Sequence, residues 1–315
     1  MTVLLIGPAS DPQIVAVTQA LEDRGVETTL WNVDSWPGDE PVTVEQRVGN
    51  TRLAVQGEPV DPAEYRTAYL RDLGLDPRYP AFEDEFEDRP LSMLNQLREY
   101  RGLLLSVVRW LSDHGVRVIN PPQAMSVHRL KPWQLSTLAA AGVPVPETCS
   151  TNDPEAVRAF ADRVDGVIYK PIAGGGHARP LEPSDLTDDR LSRLANSPVQ
   201  FQERVDGEDV RVFVVDGEVV AAARIVSDAL DYRSTDHDVE RIDRAELDPE
   251  IEDAAIRTAD CLGLPFTGVD VIDADDRFCV LEANPSPMFA TFDELAGTDV
   301  AGALATLLAG PDGRK

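Results

Sequence analysis

Lysine is almost missing from this chain. Only Lys131, Lys170 and Lys315 occur in 315 residues, so arginine supplies 26 of the 29 basic side chains. Cysteine is equally scarce: Cys149, Cys261 and Cys279 show no Cys-x-x-Cys or Cys/His metal spacing. Their odd number argues against a disulfide framework and for a reduced, intracellular compartment. No apolar run approaches the ~18 residues that a membrane span needs, and no basic stretch precedes the apolar amino terminus, so neither insertion nor export is expected. The common nucleotide and nucleophile signatures are also missing. Gly7-Pro8 after the first apolar run is not a Gly-x-Gly-x-x-Gly turn, and there is no Walker-type phosphate loop and no Gly-x-Ser-x-Gly elbow. A dinucleotide site, a P-loop and a serine hydrolase are excluded on these grounds.

Acid is what the chain has in excess. Asp and Glu number 56, giving a net charge of −27. The acidity is spread along the chain, and the basic residues form no cluster that could track a phosphate backbone, so no nucleic-acid partner is expected. Such a surface stays hydrated in concentrated salt, where screening removes its self-repulsion, and it reads as a protein of a salt-loving cytoplasm. A hydrophobic fraction of 43% is ordinary for a globular protein, and the length suits two or three packed subdomains.

The chain opens as a β-α-β unit: an apolar strand from Val3 to Ile6, a helix started by Asp11-Pro12 and stopped by Gly25, and a strand from Val26 to Trp31. This is the usual start of an open parallel sheet. A hairpin is expected around Gly49-Asn50, a strand from Thr67 to Leu70, a loop from Asp72 to Arg89 and a long amphipathic helix from Leu91 to Leu111. Pro121-Pro122 ends the following strand and marks the first boundary. Beyond it come a helix from Lys131, helices opened by Asp153-Pro154 and Asp248-Pro249, and a final helix over 298–308. Strands are expected over 167–172 and 199–205, with hairpins at Asp216-Gly217 and over 269–283.

Three constellations carry chemistry. Lys131 and Lys170 survive where other lysines have been replaced, and Lys170 lies in the strand over 167–172 just ahead of Gly174-Gly175-Gly176. A compact ammonium beside glycine-loop amides suits a phosphate. In the hairpin over 269–284, the period of two sets Glu282 and Asn284 on one face, and a turn at Ala274 to Asp276 sets Asp270 opposite them. An all-oxygen set of this kind suits a hard cation such as Mg²⁺. Asp209 and Arg211 share a strand face after Gly207, suited to ribose hydroxyls and to an anion, or equally to a cross-strand ion pair, and Arg233 lies in a loop with the same ambiguity. His177, just after the triple glycine, is in reach of a phosphate but reads better as a solvated loop residue, and His114, His128 and His237 have no ligand spacing or nucleophile partner.

In this order the residues resemble the ATP-grasp superfamily, most closely its ribosomal-S6-modification and glutathione-synthetase-like carboxylate–amine ligases. The stretch from Pro121 to Leu308 carries the resemblance: Lys131 followed by Gly142-Val143-Pro144-Val145-Pro146, Tyr169-Lys170-Pro171 with its glycines, Gln202-Glu203, Gly207-x-Asp209-x-Arg211 and Leu281-Glu282-Ala283-Asn284. A narrower similarity is to the ligases that macrocyclise ribosomal peptides. The resemblance implies an α/β chain with an open parallel-sheet domain over 1–120, a lid subdomain over 121–199 and a core subdomain over 200–315. It also implies ATP with Mg²⁺, for which Mn²⁺ could substitute. Lys131, Lys170, Gly174, Gly175 and Gly176 would meet phosphates. Gln202, Glu203 and Val205 would hold adenine, and Asp209 the ribose. Asp270, Glu282 and Asn284 would hold the metal, and Arg211 and Arg233 would support the acyl phosphate. The implied activity joins an amino-acid or peptide carboxylate to an amine. A non-catalytic ATP-binding module and a small-molecule kinase are the alternatives, and the oligomeric state, a homo-oligomer included, stays open.

Overall fold

The computed structural model describes residues 2–35, 40–75, 83–174, 176–227 and 238–310. Gly175, Arg233, His237 and Lys315 lie outside the described residues. Contacts divide the chain into two compact units, Met1–Pro122 joined by Ala301–Lys315, and Gln123–Val300.

The first unit is built on a four-stranded sheet in the order β2-β1-β6-β7, with every neighbouring pair parallel. Its strands are β1 (Thr2–Gly7), β2 (Thr28–Asn32), β6 (Tyr65–Leu70) and β7 (Arg117–Ile119). A small antiparallel sheet of β3 (Val42–Arg47), β4 (Asn50–Val55) and β5 (Glu58–Pro59) branches from it in the chain order. Helices α1 (Pro12–Glu22), α2 (Glu83–Asp88) and α3 (Pro90–Asp113) complete the amino-terminal segment. The expected loop from Asp72 to Arg89 is thus corrected at its end. Glu83–Asp88 is helical although its acidic sequence shows no apolar period, and Arg89 N–H donates to the Glu85 carbonyl at 2.9 Å.

The last helix belongs to this first unit rather than with residues 200–300. Its Leu304 and Leu308 are fully buried, the Thr67 hydroxyl donates to the Leu308 carbonyl at 2.6 Å, and Arg24 donates to the Gly302 carbonyl at 2.9 Å.

The second unit holds two antiparallel sheets. One runs β10-β9-β11-β8, from β8 (Thr148–Thr151), β9 (Val167–Lys170), β10 (Arg179–Pro180) and β11 (Val199–Glu203). The other runs β14-β13-β12-β15-β16, from β12 (Glu208–Val215), β13 (Glu218–Val226), β14 (Asp238–Ile242), β15 (Phe266–Asp273) and β16 (Phe278–Asn284). Its helices are α4 (Pro122–Met125), α5 (Lys131–Ala140), α6 (Pro154–Arg163), α7 (Asp188–Ser192), α8 (Pro249–Leu262) and α9 (Ala290–Ala296), while α10 (Val300–Ala309) is the last helix, that of the first unit.

The helix starts repeat one device. Asp11, Asp153 and Asp248 each accept the backbone N–H two residues on, at 2.7, 3.0 and 2.8 Å, with Pro at the first helical position. Each such cap is worth about 1 kcal/mol. The Asp216-Gly217 turn has φ of 50° and 81°, the double left-handed geometry that joins two-residue hairpins.

Each sheet buries one face. Phe201 of β11 and Val167 of β9 pack with Val157 and Phe160 of α6 and Leu191 of α7. In the larger sheet Val210, Val212, Val269 and Val271 pack against Ala254, Ala255 and Ala259 of α8. The period of two leaves Ile168, Lys170, Gln200 and Gln202 on the other face of the smaller sheet, and Asp209, Arg211, Asp270 and Glu282 on the other face of the larger.

Candidate active site

One pocket of the second unit is lined by Lys131, Lys170, Gly174, Gly176, Gln202, Glu203, Val205, Asp209, Asp270 and Glu282 together. Residues far apart in sequence are drawn together there by the strand register. Arg211 of β12 stands directly opposite Asp270 of β15, which stands directly opposite Glu282 of β16. A turn at Ala274 to Arg277 sets this pairing, with the Ala274 N–H donating to the Arg277 carbonyl at 2.9 Å. Lys131, the first residue of α5, pairs with Glu282 from outside the sheet.

The result is a row of charges, Arg211–Asp270–Glu282–Lys131, that sums to zero. Arg211 donates through Nε to Asp270 Oδ1 at 2.7 Å and through Nη2 to Oδ2 at 2.8 Å, and its guanidinium lies 5.6 Å from the Phe292 ring centre. Lys131, Arg211 and Glu282 are only 6%, 7% and 8% exposed. Buried charges of this kind persist because each is paired, since an isolated one would be strongly unfavourable.

The opposite wall, from the smaller sheet, is chemically different. Gln200 and Gln202 are both fully buried. Gln202 Nε2 donates to Thr148 Oγ1 at 3.0 Å, and the Thr148 hydroxyl in turn donates to the Pro146 carbonyl at 2.9 Å. Thr148 has spent its one proton, so its oxygen can only accept. This fixes which end of the Gln202 amide is the nitrogen and leaves Oε1 as an acceptor with no partner among the described residues. Gln200, opposite Lys170 in the ladder but not itself lining the pocket, has neither amide atom partnered among them.

Glu203, at the end of β11, anchors the pocket rim. Burial pushes its carboxyl up, but hydrogen bonds from Arg277 and the Glu147 N–H, with the Arg277 charge, outweigh this and hold it below the usual glutamate range. Gly207 is required here by contact: a Cβ would sit 2.4 Å from the Asp273 carbonyl oxygen.

Asn284 does not line the pocket; its Oδ1 accepts the Ser286 N–H at 3.0 Å. Arg211 is engaged by Asp270, the cross-strand pair that its position also allowed. Sequence reasoning passed over His128, which lines the pocket and whose Nε2 lies 3.3 Å from where a Cβ on Gly174 would stand. Nothing in its sequence neighbourhood signals this, because the contact joins a helix turn to a loop 46 residues on.

The donor chemistry fits a nucleotide with Mg²⁺. Two carboxylates facing one another supply the one or two protein ligands that Mg²⁺ takes when phosphates and water complete its shell. Among the described residues no group of three or more His, Cys, Asp or Glu forms a self-sufficient metal cage. The unpartnered Gln202 acceptor suits an exocyclic amine.

Residues 129–308 match the RimK-like ATP-grasp domain model. The chain therefore belongs to the RimK-like ATP-grasp family, and its α/β architecture is the ATP-grasp fold. It is 28% identical over 207 residues to tetrahydromethanopterin:alpha-L-glutamate ligase of Methanocaldococcus jannaschii, covering 62% of this chain and 70% of that one. Its structure matches the ATP-grasp ligase PsnB complexed with a phosphomimetic variant of minimal precursor, Mg and ADP, with TM-score 0.86, 35% identity, and 98% and 97% of the two chains covered. Macrocyclase MdnC of Microcystis aeruginosa, bound with precursor peptide MdnA, shares the fold at TM-score 0.80 and 23% identity over 98% and 99% of the chains. The chain is an enzyme of the ATP-grasp ligase class, and the reading as a non-catalytic module falls away. No helix among the described residues is long and apolar enough to cross a membrane.

Proposed function

We propose that this ligase uses ATP and Mg²⁺ to join a carboxylate carried on a peptide to an amine, by way of an acyl phosphate. The observation that carries the reading is the charge row: a buried and a half-buried carboxylate held ready by Lys131 and Arg211 in the pocket that Lys170, Gly174 and Gly176 also line. The peptide as acid donor is supported by the similarity to PsnB along nearly the whole chain, since PsnB was captured with its minimal precursor. The acidic, lysine-poor composition supports a salt-rich cytoplasm as the setting.

Bound Mg²⁺ and ATP supply a γ-phosphorus whose oxygens are charge-neutralised. The chain supplies position. Gln202 Oε1 and the backbone from Glu203 to Val205 hold adenine, and Asp209 holds the ribose. Lys170 and the loop over 174–176 cover the phosphates. Asp270 and Glu282, with Asn284, would hold the metal, and Lys131, now paired with Glu282, would meet a phosphate oxygen. Arg211 keeps Asp270 oriented through its two hydrogen bonds, and Arg233 supports the acyl phosphate.

The substrate carboxylate oxygen then attacks the γ-phosphorus, the bond to the bridging oxygen breaks, and ADP leaves. The amine attacks the acyl carbon, the carbon–oxygen bond to phosphate breaks, and phosphate departs with the electron pair while the amine gives up a proton. Positioning and charge neutralisation account for the catalysis.

Incubating Mg-ATP with short acidic peptides, free glutamate and dicarboxylates, with hydroxylamine as trap, tests this. Acid-dependent ADP and a peptide hydroxamate, both lost in Glu282→Gln, are expected. A stable phosphorylated product would mean a kinase, and AMP with pyrophosphate would overturn the chemistry.

A further inference from the structure

Helix α5 buries one stripe, Lys131, Gln134, Leu135 and Leu138, at the spacing of a helix face packed on a core. Leu135 and Leu138 are the apolar members such a stripe needs. The first two are polar, one helical turn apart, and both reach the same short stretch of β16.

Strand β16 is the edge of its sheet, so every second residue turns a backbone N–H and C=O outward without a strand to meet them. At Ala283 both groups are met by one side chain. Gln134 Oε1 accepts the Ala283 N–H at 2.8 Å, and Gln134 Nε2 donates to the Ala283 carbonyl at 3.1 Å. The amide stands in for the missing strand, and it is only 1% exposed. Three residues up-chain at Val280, the edge is held instead by the Pro144 carbonyl at 2.8 Å.

Ala283 lies between Glu282 and Asn284. Lys131 to Glu282 and Gln134 to Ala283 therefore close a ring in which adjacent residues of β16 are tied to adjacent turns of α5. We propose that Gln134 is a positioning residue of the metal-binding wall: by gripping both backbone groups of Ala283, it fixes where the Glu282 carboxylate stands relative to Lys131. A packing residue would need only shape at this place, whereas a two-point grip fixes both the offset and the tilt of the strand. The inference rests on the proposed role of Glu282 toward Mg²⁺.

Gln134→Met keeps the length and burial and removes both bonds. Calorimetric titration of ADP into the folded variant, with Mg²⁺ and with EDTA, should show the Mg²⁺-dependent affinity falling about tenfold or more, in the range that supporting residues exert on metal sites. The EDTA affinity should stay within about twofold of wild type. Hydrogen exchange at the Ala283 amide should quicken in the same variant without nucleotide. Equal losses with and without Mg²⁺ would make Gln134 a structural residue only, and unchanged Mg²⁺-dependent affinity would also overturn the proposal. If wild type itself binds ADP equally with and without Mg²⁺, the metal reading of Glu282 fails instead. Should Gln134→Met not fold, Gln134→Glu, which keeps the acceptor for the Ala283 N–H and loses the donor, takes its place in the same titrations under the same criteria.

Discussion

The two walls of the pocket solve opposite problems. On the larger sheet, Arg211, Asp270 and Glu282, with Lys131 of α5 beside them, are charged and paired, all buried except the half-buried Asp270. On the smaller sheet, Gln200 and Gln202 are neutral, buried and left with unmet hydrogen-bonding atoms. A charged wall needs its partners at all times, because an uncompensated ion cannot wait in a dry site. A neutral amide can wait, since its orphaned atom costs only about 1–3 kcal/mol. The charged wall is therefore built to exchange partners, and the neutral wall to acquire one.

The largest break in this contrast is Lys131→Met. It strands Glu282 beside Asp270, and denaturant unfolding should show a loss of about 3–5 kcal/mol in the absence of metal. Millimolar Mg²⁺ should return part of that stability, because the cation takes over the neutralisation; no recovery would mean the carboxylates do not share a cation.

A smaller effect is expected on the neutral wall. If Gln202 Oε1 accepts from an exocyclic amine, the enzyme prefers ATP over GTP, whose carbonyl would face that oxygen. Gln202→Leu should shrink the ATP-to-GTP affinity ratio by roughly tenfold, the worth of about 1–2 kcal/mol. Competition titrations of the two nucleotides check this, and an unchanged ratio removes Gln202 from base selection.

The smallest effect is a gain. Gln200→Met replaces an amide with no partner among the described residues by an apolar side chain of similar length, and the protein without nucleotide should become more stable by about 1 kcal/mol. A loss in the thermal melt would mean that Gln200 is satisfied by water.

These walls were unequally legible. Lys131 and Lys170 stood out because lysine is so rare, and Glu282 and Asp270 because a strand period of two is local information. The ion pairs among them required the register, which a sequence implies only through a correctly placed turn. Gln134 and Gln200 were invisible. A glutamine on a helix or strand reads as a solvated face until the segment that covers it is known. Strand β14 (Asp238–Ile242) and helix α9 (Ala290–Ala296) were missed because both are short and alternate polar with apolar residues irregularly. The acidic segment Glu83–Asp88 carries no apolar stripe at all, and the last helix gave no sign that its partners lie at the other end of the chain.

That last helix sets an order of assembly. The sheet of the first unit leaves the ribosome ahead of the whole pocket unit, yet Leu304 and Leu308 and the carbonyl that satisfies Thr67 follow that unit. At about 5–20 residues per second, the amino-terminal sheet waits many seconds for the piece that finishes its core. The pocket unit is contiguous in sequence and is synthesised whole within that interval, so its core is complete before that of the unit made ahead of it.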